Sequence, residues 1–250
     1  MSPPEPAQPP VPIPPGQRSE PRTVTMLALF AMAWTMGVVD SFGYDNFGVF
    51  TTNQAGNLVL FGKAPWEDWP HARLAGLSLL GAAIGVVVGT ALSRSAARWS
   101  GAELSAPVTL GTILLVVSAS LTIDQARSSW AVPVMAAGTA CMAAGWVRAT
   151  SVKLWLTANT GGYLTAVRAV VFPDAPADEP ARTRRRFTTA ASVSAAVLTL
   201  GFGSGVVAYG LGVLDWPHPV FFAVVPAVAV SALALRDEYR RTDLVHQNPP

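Results

Sequence analysis

Apolar residues fall into six long segments along the chain, separated by shorter polar stretches. A helix rises about 1.5 Å per residue, so roughly 20 residues are needed to cross a hydrocarbon core of about 30 Å. The pattern predicts an all-α membrane protein with about six transmembrane helices. The segments are Val24–Val39, Leu74–Leu92, Leu104–Ile123, Trp130–Val147, Phe187–Leu214 and Val220–Leu235.

The composition agrees with a membrane protein and argues against a metalloprotein. Charged residues make up 13% of the chain, whereas soluble domains carry roughly 25%. Cys141 is the single cysteine, so the chain has no disulfide framework and no cysteine-based metal site. The three histidines lack the spacing of metal ligands. We therefore expect no metal and no cofactor.

The charges predict how the chain is oriented. If the N-terminus is cytoplasmic and six helices alternate, fourteen of the seventeen Lys and Arg residues lie on the cytoplasmic side. Only Lys63, Arg73 and Arg127 lie outside, which is a strong positive-inside bias. We expect a multi-pass protein of a bacterial-type plasma membrane with both termini in the cytoplasm. The basic run Arg184–Arg186 is then a topology signal, and no nucleic-acid partner is expected.

The chain divides into three parts. Residues 1–23 are rich in proline and lack an apolar face, which is typical of a disordered cytoplasmic tail. Residues 24–236 form the transmembrane domain, and residues 237–250 form a cytoplasmic C-terminal tail.

Glycines at intervals of four residues mark helix faces that can approach a neighbour closely. Gly81, Gly85 and Gly89 share one face of the second apolar segment, and Gly201 and Gly205 share one face of the fifth. Such faces associate helices in lipid through close backbone contact. The partner is either another helix of the same chain or a second copy of the protein.

Two polar, glycine-containing stretches follow apolar segments, at Gly37–Gly62 and at Gly145–Val167. When Gly56 is aligned with Gly161, the two stretches have similar composition. With three predicted helices before residue 128 and three after it, the stretches face opposite sides of the membrane. This arrangement predicts a 3+3 inverted-topology repeat, in which such polar breaks form the binding site.

Each polar stretch is either a re-entrant segment or a surface loop. Irregular backbone at membrane depth survives only inside protein or beside a wet cavity. In the re-entrant alternative, Gly56 and Gly161 allow sharp turns, and Asn57 or Thr160 caps a short following helix. Lipid and an unknown small solute or ion are the expected partners. The candidate substrate-binding residues are Asp40, Thr52, Asn53, Gln54, Gly56, Asn57, Asn159, Thr160 and Gly161.

Asp40 ends the first apolar segment. A carboxylate at the centre of a membrane helix costs about 2.5–3.5 kcal/mol, so such residues face a bundle interior and usually serve function. The alternative is that Asp40 lies in water at the outer interface, because the segment before it is short.

The polar stretches also resemble a known family. Gly37–Gly43 and Ala55–Gly62 are similar to the G-x-x-D-A-x-x-F and T-G-N-x-x-x-L-G motifs of the YoaK-like bacterial inner-membrane proteins, and Thr160–Leu164 is similar to their second T-G-T-L motif. The resemblance extends over residues 24–235 and implies about six membrane helices, with no established activity. Ala55 stands where this family generally has Thr, and Val147-Arg148 where it generally has Gln-Asn. We therefore expect an asymmetric site, to which residues 53–57 contribute more than the second copy.

Two functions from different classes fit these observations. One is a small-solute or ion transporter or channel with a site between the two polar stretches. The alternative is a non-transporting scaffold or regulator that acts through its cytoplasmic tails. Facing Ser/His or Cys/His pairs and phosphate-binding glycine loops are absent from the sequence pattern, so we do not expect an enzyme.

Overall fold

The computed structural model describes residues 23–63, 68–99, 104–123, 128–149, 181–212 and 218–247. Within these ranges it contains seven α-helices and no strand, which confirms the all-α prediction for this part of the chain. The helices are α1 Thr23–Phe47, α2 Gln54–Lys63, α3 Trp69–Trp99, α4 Ser105–Ser120, α5 Ala131–Ala149, α6 Ala181–Gly210 and α7 Pro219–Gln247.

Each predicted apolar segment corresponds to one helix, and α2 is an additional short helix inside the first polar stretch. Two helices are long and apolar enough to cross a membrane, over Met26–Phe47 in α1 and Trp69–Arg98 in α3. The other apolar stretches of the described helices are shorter. Residues 237–247, expected to belong to a tail, continue α7 as helix. These features are compatible with a membrane protein.

Helix α1 contacts three other long helices of the bundle. It packs against α6 and α7 and also reaches α5. Helix α5 contacts both α3 and α4, α4 contacts α7, and α2 lies on α3. Leu29, Met32 and Met36 of α1 are almost fully buried in the core.

The glycine faces pack inside the chain. A Cβ atom added at Gly81 or Gly85 would overlap the backbone of α5, and one added at Gly201 or Gly205 would overlap the backbone of α1. Helices at this distance gain van der Waals contact along their whole crossing, which is how membrane helices associate. Close backbone contact at glycine therefore stabilises both the α3–α5 pair and the α1–α6 pair.

Candidate functional site

The chain reverses direction immediately after α1. Gly48 has a left-handed backbone (φ +69°), and its N–H donates to the carbonyl of Tyr44 at 2.8 Å. A glycine in this conformation is a common helix terminator because it carries no Cβ. The sharp turn expected at Gly56 was wrong, because Gly56 lies within α2. The turn expected at Gly161 lies outside the described residues.

Reversal at Gly48 brings the following residues back onto Asp40, which is buried with 5% of its surface exposed. Its Oδ1 accepts hydrogen bonds from the backbone N–H groups of Thr51 and Thr52, both at 2.7 Å. The Thr51 hydroxyl lies 3.4 Å from the same oxygen. Two backbone N–H groups thus converge on one carboxyl oxygen and hold the returning chain against α1. Asp40 therefore lies in the interior of the bundle rather than in water at its surface.

Asn57 holds the other side of the returning chain. Its Nδ2 donates to the carbonyl of Phe50 at 2.6 Å, and its Oδ1 accepts from the Phe50 N–H at 3.0 Å. The same Nδ2 lies 2.9 Å from the hydroxyl of Ser78 in α3. The Asn57 amide thus satisfies both backbone groups of Phe50, which α1 and α2 leave unpaired.

The predicted cap of the short helix was wrong by four residues. Asn53, which directly precedes α2, accepts the Gly56 N–H on its Oδ1 at 3.2 Å. This is the usual N-cap bond to the third residue of a helix. Asn57 lies inside α2 and serves the turn instead.

Neighbouring helices complete the site. The Ser78 hydroxyl of α3 donates to the Phe50 carbonyl at 2.8 Å, and the Thr139 hydroxyl of α5 lies 3.3 Å from the Thr51 carbonyl. We call Asp40, Thr51, Thr52, Asn57 and Ser78 the Asp40 network; all five are buried. Its members come from α1, the turn, α2 and α3, with α5 closing one side.

Six of the nine predicted site residues lie together around this turn: Asp40, Thr52, Asn53, Gln54, Gly56 and Asn57. The remaining three, Asn159, Thr160 and Gly161, lie outside the described residues. Sequence reasoning missed Thr51, Ser78 and Thr139. A single hydroxyl in an apolar helix carries no spacing signal, although Thr51 adjoins a predicted residue.

The chemistry of the Asp40 network is that of a single carboxylate among hydroxyl and amide groups. No described Lys or Arg side chain forms an ion pair with Asp40. In the part of the chain that the structure describes, His, Cys, Asp and Glu side chains do not gather in threes to hold a metal. Such an arrangement can bind a proton, a monovalent cation or a hydrogen-bonding solute.

Replacing Asn57 by Ala is expected to lower the free energy of unfolding by about 1–3 kcal/mol, because the Phe50 N–H loses its acceptor and the Phe50 carbonyl keeps only the Ser78 hydroxyl as a donor. Denaturant unfolding of the purified protein in micelles measures this. Asn53→Ala, which removes only a partly buried cap, is the control and should cost about 1 kcal/mol. Equal losses for the two variants would contradict the role given to Asn57.

A second polar cluster lies at the same end of α1. It forms an open pocket of about 280 Å³ between the ends of α1, α4 and α6 and the start of α7. We call it the aromatic pocket. Its lining residues are Phe42, Asn46, Thr122, Ile123, Tyr209, His218 and Pro219.

His218 is held in one neutral form at the edge of this pocket. Its Nδ1 accepts the Val220 N–H at 3.3 Å, so the ring hydrogen lies on Nε2, which is 3.0 Å from the Thr122 hydroxyl. That hydroxyl can accept because its own hydrogen is donated to the Ala119 carbonyl at 2.8 Å. Burial lowers the pKa of His218 below its ordinary value of 6.5.

Acidification is expected to destabilise the protein through His218. Neutral His218 contributes fully to the free energy of unfolding above pH 6.5, the ordinary pKa of the group. This contribution is lost as the pH falls from 6.5 toward the lower folded-state pKa, because the unfolded chain binds the proton first. In the His218→Asn variant, Oδ1 can still accept the Val220 N–H but does not titrate. Thermal unfolding is measured from about pH 5 to about pH 8, which spans the titration of histidine. The unfolding temperature should change less with pH for the variant than for the wild type. Parallel curves would refute this role of His218.

Comparison with known proteins places the chain in a family without naming an activity. Residues 28–235 match the family described as "Protein of unknown function (DUF1275)". Neither a search of curated proteins nor a search of solved structures returned a match. The match includes five of the six apolar segments in full, and the first segment except for its first four residues. It also includes the whole Asp40 network. The match confirms the family resemblance seen in the polar stretches. The chain therefore belongs to the DUF1275 family of proteins of unknown function.

Proposed function

We propose that this chain is a multi-pass membrane protein that moves a small solute or ion along a path past the Asp40 network. The observation that carries the proposal is a carboxylate buried inside an apolar bundle and bound by a turn. Burying such a group is expensive, and in membrane proteins it marks substrate, ion or proton pathways.

The outer surface supports a membrane setting for most of the bundle. Large apolar side chains point away from the core on α3, α4, α6 and α7, and Val87, Leu200 and Val225 each expose about two thirds of their surface. Soluble monomers rarely expose contiguous apolar patches beyond a few hundred Å². Helix α3, with 31 residues, is about 46 Å long and exceeds the roughly 30 Å hydrocarbon core.

Helix contacts also support the inverted repeat. Let α1, α3 and α4 form the first half and α5, α6 and α7 the second. In this relation α1 corresponds to α5, α3 to α6 and α4 to α7. The α3–α5 contact then corresponds to α6–α1, and the α4–α5 contact to α7–α1; all four contacts are present. The α4–α7 contact maps onto itself. A two-fold relation between the halves predicts these five contacts. It also maps the α3–α4 contact onto an α6–α7 contact, which the described residues do not form to a comparable extent.

Transport fits the site better than catalysis does. The Ser78 and Thr139 hydroxyls donate to backbone carbonyls rather than to a base that could activate them. Nucleophilic catalysis needs such a base within hydrogen-bond reach. The hydroxyl and amide groups are instead suited to holding a solute or a partly dehydrated ion.

Comparing the small-molecule content of cells tests the proposal. The arms are cells that lack the protein, cells that overproduce it and cells that overproduce Asp40→Asn. A solute or ion should differ between the first two arms, and the Asp40→Asn arm should match the cells that lack the protein. If no solute differs between the arms, and if cells whose protein lacks residues 1–22 behave like cells that lack the protein altogether, the protein is a scaffold.

A further inference from the structure

The aromatic pocket is separate from the Asp40 network. Phe42 and Asn46 line it from α1, together with Tyr209 of α6 and His218 before α7. The Asp40 network instead faces α3 and α5, through Ser78 and Thr139. The two sites therefore lie on different sides of α1, and the aromatic pocket is not part of the path proposed above.

The hydrogen-bond donors of the pocket are already used. Asn46 Nδ2 donates to the Phe42 carbonyl at 2.9 Å and lies 3.3 Å from the Tyr209 hydroxyl. The Tyr209 hydroxyl donates to Asp45 Oδ2 at 2.9 Å. Both ring nitrogens of His218 are engaged, as described above.

What remains for a ligand is a set of acceptors and aromatic rings. Asn46 Oδ1 has no partner among the described residues. Asp45, next to the pocket through Tyr209, is exposed and forms no ion pair with a described cation. The rings of Phe42, Tyr209 and His218 meet edge-on or tilted, with centroids 4.9–6.5 Å apart.

This combination favours a cation that carries N–H donors. Aromatic faces and a carboxylate attract ammonium groups, and a free amide oxygen accepts an N–H. One carboxylate and one amide oxygen are too few for calcium or magnesium, which take about six or more oxygen ligands. A pocket of about 280 Å³ lies just below the range for drug-sized ligands and suits a smaller molecule.

We propose that the aromatic pocket binds a small organic ammonium compound, with its charge at Asp45 and Asn46 Oδ1 and its apolar part against Tyr209 and Phe42. The site is distinct from the proposed transport path. Its occupancy joins the ends of α1 and α6 to the start of α7.

Calorimetric titration of the full-length protein in lipid nanodiscs tests this site, with benzylamine as the probe and benzyl alcohol as its uncharged counterpart. We expect benzylamine to bind about tenfold more tightly, because the cation–π contact and the carboxylate together are worth about one power of ten. Asp45→Asn should lose part of this preference, because the aromatic rings remain. Asp68→Asn removes an exposed carboxylate before α3, outside the pocket, and should bind like the wild type.

Three results would overturn the proposal. They are equal affinity for the amine and the alcohol, undiminished amine binding by Asp45→Asn, and no amine binding at millimolar concentration. Because Asp45 is exposed, its replacement should leave the fold intact, and circular dichroism of the variant verifies this.

Discussion

Replacing Asp40 by Asn is expected to abolish transport while leaving the fold in place, whereas replacing it by Ala is expected to destabilise the protein. In the Asn variant, the side-chain oxygen can still accept the Thr51 and Thr52 N–H groups, which bond Asp40 at 2.7 Å, but the charge is gone. In the Ala variant, two buried N–H groups have no acceptor. Each costs about 1–3 kcal/mol, so we expect a loss of about 3 kcal/mol or more in the free energy of unfolding.

Unfolding in micelles and accumulation of the identified solute measure the two effects separately. Asp68→Asn is the control for removal of a carboxylate, because Asp68 is exposed and lies outside both proposed sites; it should leave both readouts unchanged. An Asp40→Asn protein that transports like the wild type would remove Asp40 from the path. Full stability of the Ala variant would mean that the carboxylate does not hold the turn.

Replacing Gly205 by Ala is expected to loosen the bundle, although alanine is the better helix former. A Cβ at Gly205 would overlap the backbone of Trp34 in α1, and neither backbone can move aside cheaply. Overpacking of this kind costs about 1–3 kcal/mol. The same reasoning applies to Gly85, whose Cβ would overlap the backbone of Ala137 in α5.

Gly203 provides the control within the same helix. Nothing lies within 4 Å of a Cβ placed there, so Gly203→Ala should stabilise the protein by up to about 1 kcal/mol through helix propensity. Thermal unfolding of the three variants in one detergent gives the comparison. If Gly203→Ala and Gly205→Ala shift stability in the same direction, the α1–α6 crossing is not as close as described.

Helix positions could be predicted from the sequence because each apolar segment is long and continuous, which leaves few alternatives to a helix. The glycine faces were also readable, since an interval of four residues repeats along Gly81, Gly85 and Gly89. The geometry of the turn after α1 could not be predicted from the sequence. Gly56 stood out by its polar surroundings, yet it is helical, and the left-handed residue of the turn is Gly48.

Tertiary contacts explain what the sequence could not show. Residue types alone indicated that Asn57 is unusual in an apolar stretch, but its role depends on Phe50, which returns to it only because the chain reverses at Gly48. Ser78 belongs to the site because α2 lies on α3. The burial of Asp40 likewise follows from the turn that covers it, not from the length of the apolar segment before it.

Thiol labelling tests whether the segment after α1 folds back into the bundle and closes over Asp40. Single cysteines are introduced at Thr51, Thr52, Asn57 and Asp68 in a Cys141→Ala background and are labelled with a membrane-impermeant maleimide. We expect fast labelling at Asp68, which is exposed, and labelling slower by about tenfold or more at the three buried positions, where it requires local opening. Labelling of all four positions at the rate of Asp68 would show instead that the segment is a free surface loop.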